Sequence, residues 1–267
     1  MWFARPFALV FASIVAFSTT AQAVILDWDG KTWTPGSLSN SYDVDGSPGN
    51  DLTVTVSGST GTLQPEIVSP YPQTPAITTD FDGGFATGTQ STLSIAVNFT
   101  SQSDFITVTI DFSALYTAGV ENVSFTLFDF DYANSGSNTY QDQLRSITAT
   151  SIDGTTLIAP TITTGATNSL SGTGLTQVVN GTASAVDIGA GSNAGNVTIS
   201  FGTAAIRSFT FTYGSGSGTV ANPTYQHVGL YDISFTPIPE INPAWSAVVS
   251  CLAVAALILR HRANLRK

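Results

Sequence analysis

Acidic side chains with the spacing of metal ligands stand out first, in the stretch VSFTLFDFDYANSGSNTYQDQLRSITATSIDG (123–154). An unbroken alternation from Val123 would put Asp129 and Asp131 on the core face, so either a bulge near Phe128 reverses the register or two carboxylates sit at the rim. Asp142 follows across a Gly- and Ser-rich loop. Ca²⁺ takes about six to eight oxygen ligands, so the three aspartates form a candidate calcium site. The alternative is a bulged strand whose aspartates are solvated.

A second acidic stretch, DVDGSPGND, supplies Asp43, Asp45 and Asp51. It opens like a calcium loop, Asp-x-Asp-Gly, but lacks the downstream glutamate that completes an EF-hand. The three carboxylates are therefore candidate Ca²⁺ ligands, and the alternative is an ordinary acidic turn. A shorter stretch of the same kind, DFDGG (80–84), carries less of the pattern. The sequence requires no cofactor, and Ca²⁺ is the one candidate.

Catalytic patterns are weak. His227 is the one histidine ahead of the C-terminal tail, and no Gly-x-Ser-x-Gly elbow marks a serine to pair with it. We interpret it as a polar contact at the start of a strand. Glu66 and Glu121 are the only glutamates before the tail motif, and no glycosidase-like pair of carboxylates is apparent. We therefore expect no enzyme, with an extracellular glycoside hydrolase as a remote alternative.

Several aromatic residues fall in predicted loops, where exposed rings can stack on sugar faces. The candidates are Trp28, Trp33, Tyr71, Tyr132, Tyr140 and Tyr225. Core packing is the ordinary alternative for such rings. A carbohydrate-binding module, stabilised by calcium, is therefore a second hypothesis for function.

The elements that must hold these residues are strands. Seven stretches alternate apolar residues with Thr, Ser, Asp or Gly, which is the pattern of a strand with one face on a core. They are 52–56, 93–99, 105–112, 123–128, 197–201, 208–213 and 228–235. Gly-, Ser- and Asn-rich segments such as 165–174 separate them and read as turns. The pattern predicts an all-β chain, an antiparallel β-sandwich of jelly-roll-like form, as one domain over residues 24–236.

The N-terminus has the order of a secretory signal peptide. Arg5 precedes an apolar run over 7–17, and Ala21 and Ala23 stand at the small-x-small positions of a cleavage site. Eleven apolar residues are too short to span a bilayer of about 30 Å. We expect residues 1–23 to be a signal peptide cut after Ala23, and the remainder to be exported through the inner membrane.

The C-terminus predicts a single membrane-spanning helix. Residues 244–259 carry no charge and would form about 24 Å of helix, and four of the eight Lys and Arg of the chain lie in its last eight positions. These are Arg260, Arg262, Arg266 and Lys267. Such a basic end stays on the cytoplasmic side, so the precursor is expected to be membrane-anchored with its body outside.

A short motif stands just before this helix, composed of Pro239, Glu240, Ile241, Asn242 and Pro243. Together with the apolar helix and the basic end, it resembles the PEP-CTERM sorting signals of Gram-negative bacteria, with Ile241 where the third residue of Pro-Glu-Pro would stand. The resemblance covers 237–267. It implies recognition by an exosortase, a membrane-embedded processing enzyme, and removal of the tail during delivery to the surface. A plain transmembrane anchor is the alternative.

Composition limits the partners. Cys251, the single cysteine, lies in the tail, so the body has no disulfide. Between residues 24 and 239, three bases stand against 17 acids, a formal charge of −14, which disfavours nucleic acid and anionic lipid. The sequence thus predicts a secreted cell-surface or extracellular-matrix protein, structural or adhesive and non-catalytic, with extracellular polysaccharide as a candidate partner.

Overall fold

The computed structural model describes six segments of the chain and four isolated positions near its end. The segments are 22–66, 72–85, 90–133, 139–182, 191–223 and 225–240, and positions 255, 258, 261 and 264 are helical. Within these residues, no helix is both long and apolar enough to cross a membrane. The proposed signal peptide up to Ala21 and the tail motif from Ile241 lie outside the described residues, as do the four basic residues of the tail.

Strands dominate the described residues. They are β1 (Val24–Leu26), β2 (Ser39–Tyr42), β3 (Leu52–Gly58), β4 (Ala76–Thr78), β5 (Thr92–Val97), β6 (Phe105–Asp111), β7 (Val120–Phe128), β8 (Tyr132–Ala133), β9 (Tyr140–Ser151), β10 (Leu157–Ile158), β11 (Thr161–Thr164), β12 (Asn168–Ser171), β13 (Val178–Gly181), β14 (Val197–Ser200), β15 (Ile206–Ser215), β16 (Gln226–Leu230) and β17 (Ile233–Pro237). Single 3₁₀ turns occur at Trp28–Gly30, Thr60–Thr62 and Gly174–Thr176.

Every strand pairing is antiparallel, and the pairings join the strands into one sheet that curls into a half-barrel. β15 lies between β6 and β9, and β3 and β2 continue from β6. β7 pairs with β14, β16 and β17, while β5 and β4 continue from β16. The predicted all-β, antiparallel class is confirmed. The finer jelly-roll-like sandwich stays a prediction.

Among the described residues, one apolar cluster forms the core that the sheet packs around. Its centre is aromatic: the rings of Phe125 and Phe209 stack at 4.6 Å, and Phe112 lies 4.9 Å from Phe235. All four side chains are almost completely buried. Burial of one such side chain contributes about 1.5–3 kcal/mol, so the alternate residues of β6, β7, β15 and β17 hold the body together without a disulfide.

The longest strand, β9, was not predicted. Its buried residues are Asp142 and Leu144 in the first half but Ile147 and Ala149 in the second, so the side that faces the core changes from even to odd positions. Ser146 has φ 51°, and the register with β15 shifts there. A β-bulge of this kind interrupts the period of two on which strand prediction depends.

Two other sequence-based assignments need correction. The predicted strand 228–235 is two strands, because Tyr231 donates its N–H to Thr126 O at 2.9 Å and Asp232 accepts from Trp28 N at 3.1 Å. These contacts interrupt the strand between β16 and β17. The predicted turn at 165–174 contains β12, which pairs with β13.

Candidate functional site

The loop between β2 and β3 brings the candidate ligands Asp43, Asp45 and Asp51 together. Each offers a carboxylate oxygen, and these oxygens lie within 4.8 Å of one another. Among the described residues, this is the one group of three acidic, His or Cys side chains that converges so closely. The hairpin closes with Asp51 N donating to Tyr42 O at 2.7 Å, which returns Asp51 to the start of the loop.

Asp51 differs from its two neighbours in being completely buried, whereas Asp43 and Asp45 are exposed. Its Oδ2 accepts from the N–H groups of Val44 at 2.6 Å and Asp45 at 3.0 Å. Its Oδ1 is buried with no hydrogen-bond partner. A buried acceptor without a partner costs about 1–3 kcal/mol, so a cation at this oxygen would remove a penalty that the protein otherwise carries.

The surroundings of the loop are also polar. Tyr116 donates its hydroxyl to Asp45 Oδ2 at 3.2 Å, and burial together with the carboxylates of Asp51 and Asp45 raises the pKa of this hydroxyl well above its usual value. The N–H groups of Gly46 and Ser47 cap the carboxylates of Asp43 and Asp45. Hydrogen bonds from Ser47 are the main cause of the lowered pKa of Asp45. Asp43 and Asp45 are thus held in place, and Asp45 favours the charged form expected of a metal ligand.

The other predicted calcium set is not brought together in this way. The register does reverse after β7, because Asp129 takes φ 67° and both Phe128 and Phe130 are buried. Asp131 and Asp142 then meet in the interior, with Asp131 N donating to Asp142 Oδ2 at 3.1 Å. Asp129 does not converge with them.

The carboxylate of Asp142 is occupied by protein donors. Its Oδ1 accepts from Tyr213 Oη at 2.7 Å and from Gln226 Nε2 at 2.9 Å. Burial, followed by the charge of Asp131, raises the pKa of Asp142 well above its usual value. This group links β9, β15 and β16 through hydrogen bonds, and its geometry suits a structural contact better than calcium.

His227 lies in a polar cluster that the sequence did not reveal. Its Nε2 is 2.6 Å from Glu66 Oε1 and also contacts Ser94 Oγ, which itself donates to Glu66 Oε1 at 2.6 Å. The three side chains are at most 6% exposed. Its Nδ1 has no hydrogen-bond partner. The centroids of the His227 and Phe81 rings lie 4.2 Å apart.

This arrangement differs from a catalytic triad. A triad places the serine on one ring nitrogen of the histidine and the acid on the other, so that the histidine accepts the serine proton while the acid orients the ring and stabilises the imidazolium. Here Ser94 and Glu66 share Nε2. Asp80 lies nearby, and burial followed by the charge of Glu66 raises the pKa of its carboxyl.

The predicted aromatic candidates are divided between core and surface. Trp28 and Trp33 are buried in the main cluster, which contradicts a role for them in sugar binding. Tyr132, Tyr140 and Tyr225 are half-buried, and Tyr71 lies outside the described residues.

The sequence analysis missed a different aromatic group. We call Phe85, Phe128 and Tyr231 the aromatic patch. The Phe85 ring is 56% exposed and stacks on Tyr231, with 5.3 Å between centroids and 29° between planes. Phe128 stacks on Tyr231 at 5.0 Å and 27°. Since the patch joins residues distant in the chain, no local pattern indicated it.

The first two residues of the predicted sorting motif follow β17 after Ile238. Pro239 and Glu240 are exposed. Glu240 accepts from Thr117 N at 3.1 Å and from the Thr117 hydroxyl. Ile241, Asn242 and Pro243 lie outside the described residues. At the other end of the body, Ala23 is exposed immediately before β1.

Comparison of the chain with protein-family models, with curated proteins and with solved structures gives no match.

Proposed function

We propose that this chain is an exported, non-catalytic protein of the cell surface or extracellular matrix, with a structural or adhesive role. The observation that best supports a non-catalytic role is the contact between Ser94, Glu66 and His227. Because the serine and the acid share one nitrogen and all three groups are buried, the cluster offers neither a proton relay nor an accessible nucleophile. A buried network of this kind instead favours a unique packing of β5 and β16.

The proposed route to the surface depends on the two ends of the chain. Residues 1–23 would be removed as a signal peptide, and an exosortase-like enzyme would process the tail at 237–267. Until then, the helix at 244–259 would hold the precursor in the membrane. The body, residues 24–236, would be a jelly-roll-like sandwich outside the cell. The exposure of Ala23, Pro239 and Glu240 supports this proposal, since a processing enzyme needs access to its target.

Mass spectrometry of the surface-released protein tests the route. The full chain is expressed in a Gram-negative host with an exosortase and in the matched exosortase deletion. We expect the released form to lack residues 1–23 and the basic tail, and Glu240→Ala to reduce its release. Asp153→Ala, which removes an exposed carboxylate in the turn after β9, serves as the control. Intact Lys267 on the surface-located form would contradict the sorting proposal.

We further propose that Ca²⁺ stabilises the loop of Asp43, Asp45 and Asp51. The buried, unpartnered Oδ1 of Asp51 favours this role over an ordinary acidic turn. The geometry supplies three carboxylates, and loop carbonyls and water would complete the set that Ca²⁺ takes.

Thermal unfolding of the full chain in mild detergent tests the calcium proposal. A ligand that binds only the native state adds about 2.7 kcal/mol at 100 times its Kd, so the melting temperature should be higher in millimolar Ca²⁺ than in EDTA. Asp43→Asn, at an exposed position, should abolish this difference, whereas Asp153→Asn should retain it. Equal melting temperatures for the wild type in the two conditions would rule the site out.

A further inference from the structure

The aromatic patch is built to hold its rings in fixed positions. Gly84 N donates to Asp82 Oδ1 at 2.9 Å and Phe85 N donates to Asp82 O at 2.9 Å, which forms a tight turn beneath Phe85. Asn196 Nδ2, buried, donates to Gly83 O at 3.0 Å and fixes the turn to the body. An exposed ring that is already ordered loses little entropy when a ligand binds.

Gly83 and Tyr231 complete the support of the patch. Gly83 has φ 55°, and a side chain there would overlap the ring of Phe128, so the turn can pack on that ring only with glycine. Tyr231 donates its N–H to Thr126 O at 2.9 Å and its hydroxyl to Gln90 Oε1 at 2.6 Å. The backbone and the hydroxyl of Tyr231 are thereby both fixed.

The rim of the aromatic patch is acidic. Burial is the first cause that raises the pKa of the Tyr231 hydroxyl to about 12, and the carboxylates of Asp232, Asp29 and Asp27 add to it. These three carboxylates thus bring negative charge to the side of Tyr231. Asp29 is exposed, and its Oδ1 accepts from Ser91 N at 2.6 Å, next to Gln90.

A sugar has the chemistry that matches such a surface. Its C–H face packs on an aromatic ring, and its hydroxyl groups donate to carboxylates, which form the stronger hydrogen bonds. An anionic ligand would meet uncompensated negative charge. We propose that the aromatic patch binds a neutral glycan, with a sugar ring on Phe85 and its hydroxyl groups directed to Asp29, Asp232 and Gln90.

The acidic rim also favours a neutral glycan over other partners that could bind an exposed apolar surface. Two copies of the chain that met through the aromatic patch would bring like-charged rims together, and an anionic membrane would be repelled in the same way. A neutral polysaccharide carries no such penalty. The inference rests on the proposed surface role. It names neutral glycans as the ligand of the adhesive protein and the aromatic patch as the place where they bind.

Binding by the full-length chain in mild detergent tests the inference. The probes are two neutral polysaccharides, a mixed-linkage β-glucan and a galactomannan, and two acidic ones, alginate and polygalacturonate. We expect binding to at least one neutral polymer and to neither acidic polymer. Phe85→Ala should weaken binding about tenfold, which corresponds to about 1.4 kcal/mol for a stacking contact. Phe105→Ala, which removes another partly exposed phenylalanine, should leave binding unchanged.

Three results would overturn the glycan site: no binding to either neutral polymer, stronger binding to an acidic polymer, or equal affinity of Phe85→Ala and the wild type. The melting temperature of each variant shows that a loss of binding is not a loss of folding. Surface fractionation separates this inference from the proposed function. A wild-type chain that reaches the surface without binding glycans refutes the site alone, whereas a purified chain that binds them but never reaches the surface refutes the surface role alone.

Discussion

Asp232 and Asp153 show how the surroundings of a single residue set its charge. Burial raises the pKa of Asp232 to about 6, with Asp27 and Asp29 adding to the effect. The hydroxyl and N–H of Thr156 and the N–H of Thr155 lower the pKa of Asp153 to about 2. Both residues are aspartates, yet their contributions to the free energy of unfolding therefore change with pH in opposite directions.

The sign for Asp232 follows from linkage. The folded state keeps this proton to a higher pH than the unfolded chain, so the stabilisation is fully present below the ordinary pKa of 3.8 and is lost as the pH rises through about 6. Asp232→Asn should flatten the change in unfolding free energy between pH 4 and pH 7, because the amide does not titrate, while its oxygen can still accept from Trp28 N. Urea unfolding between pH 4 and pH 7 measures this change in the free energy of unfolding.

Asp153→Asn provides the opposite case. The stabilisation by Asp153 is present above pH 3.8 and is lost as the pH falls through about 2, so this variant should lose stability at pH 7 but not near pH 2. A steeper rather than flatter pH dependence in Asp232→Asn would contradict the assignment for Asp232.

At the residue scale, the sequence predicted best where ligands are close in the chain. Asp43, Asp45 and Asp51 occupy one hairpin loop, where nine consecutive letters marked them as candidate ligands. The contact of Glu66, Ser94 and His227 joins three segments, and Ser94 and His227 are 133 positions apart in the chain. Topology alone creates that contact, so a single sequence carries no signal for it. The same reason hid Phe85 and Tyr231.

At the element scale, regular alternation predicted strands and departures from it hid them. β3, β5, β6, β7, β14 and β15 were all predicted, with ends that differ by a few residues. β9 was missed because the bulge at Ser146 reverses its buried face. Short strands such as β10 and β12 carry exposed side chains, and their pairing with neighbours rather than their own pattern defines them.

The contact between β13 and the segment after β7 gives a prediction for an element. A side chain at Gly181 would overlap the carbonyl oxygen of Asp131. The N–H group of the same residue donates to the carboxylate of Asp142. Gly181→Ala should therefore lower the free energy of unfolding by about 1–3 kcal/mol or more, as overpacking does.

Gly30→Ala is the matched control, because a side chain there would meet nothing within 4 Å. Its effect should stay within about 0.5 kcal/mol. Denaturant unfolding of both variants measures the difference, and equal stabilities would show that the Gly181 contact relaxes without cost.

At the scale of the whole molecule, charge opposes compactness. The body carries a formal charge of −14, and only Lys31, Arg145 and Arg207 offset its acids. Screening shortens the range of this repulsion, from about 30 Å at 0.01 M salt to about 3 Å at 1 M. The melting temperature should therefore rise as KCl increases from about 0.01 to 0.5 M.

This salt effect is measured in EDTA, so that a specific effect of Ca²⁺ does not contribute. The monovalent salt should act equally on the wild type and on Asp43→Asn. A melting temperature that falls with KCl would mean that attractive ion pairs outweigh the repulsion.

The pairing of β1 with β17 sets the order in which the sheet can form. Val24 lies opposite Phe235 and Leu26 opposite Ile233, so the partner of the first strand is the last strand made. In any process that presents the chain from its N-terminus, β1 waits, unpaired, for some 200 residues of chain. Closing so long a loop is slow. In such a process the seam between β1 and β17 can close only after Phe235 has been presented. Completion of the sheet therefore waits for the segment just ahead of Pro239 and Glu240.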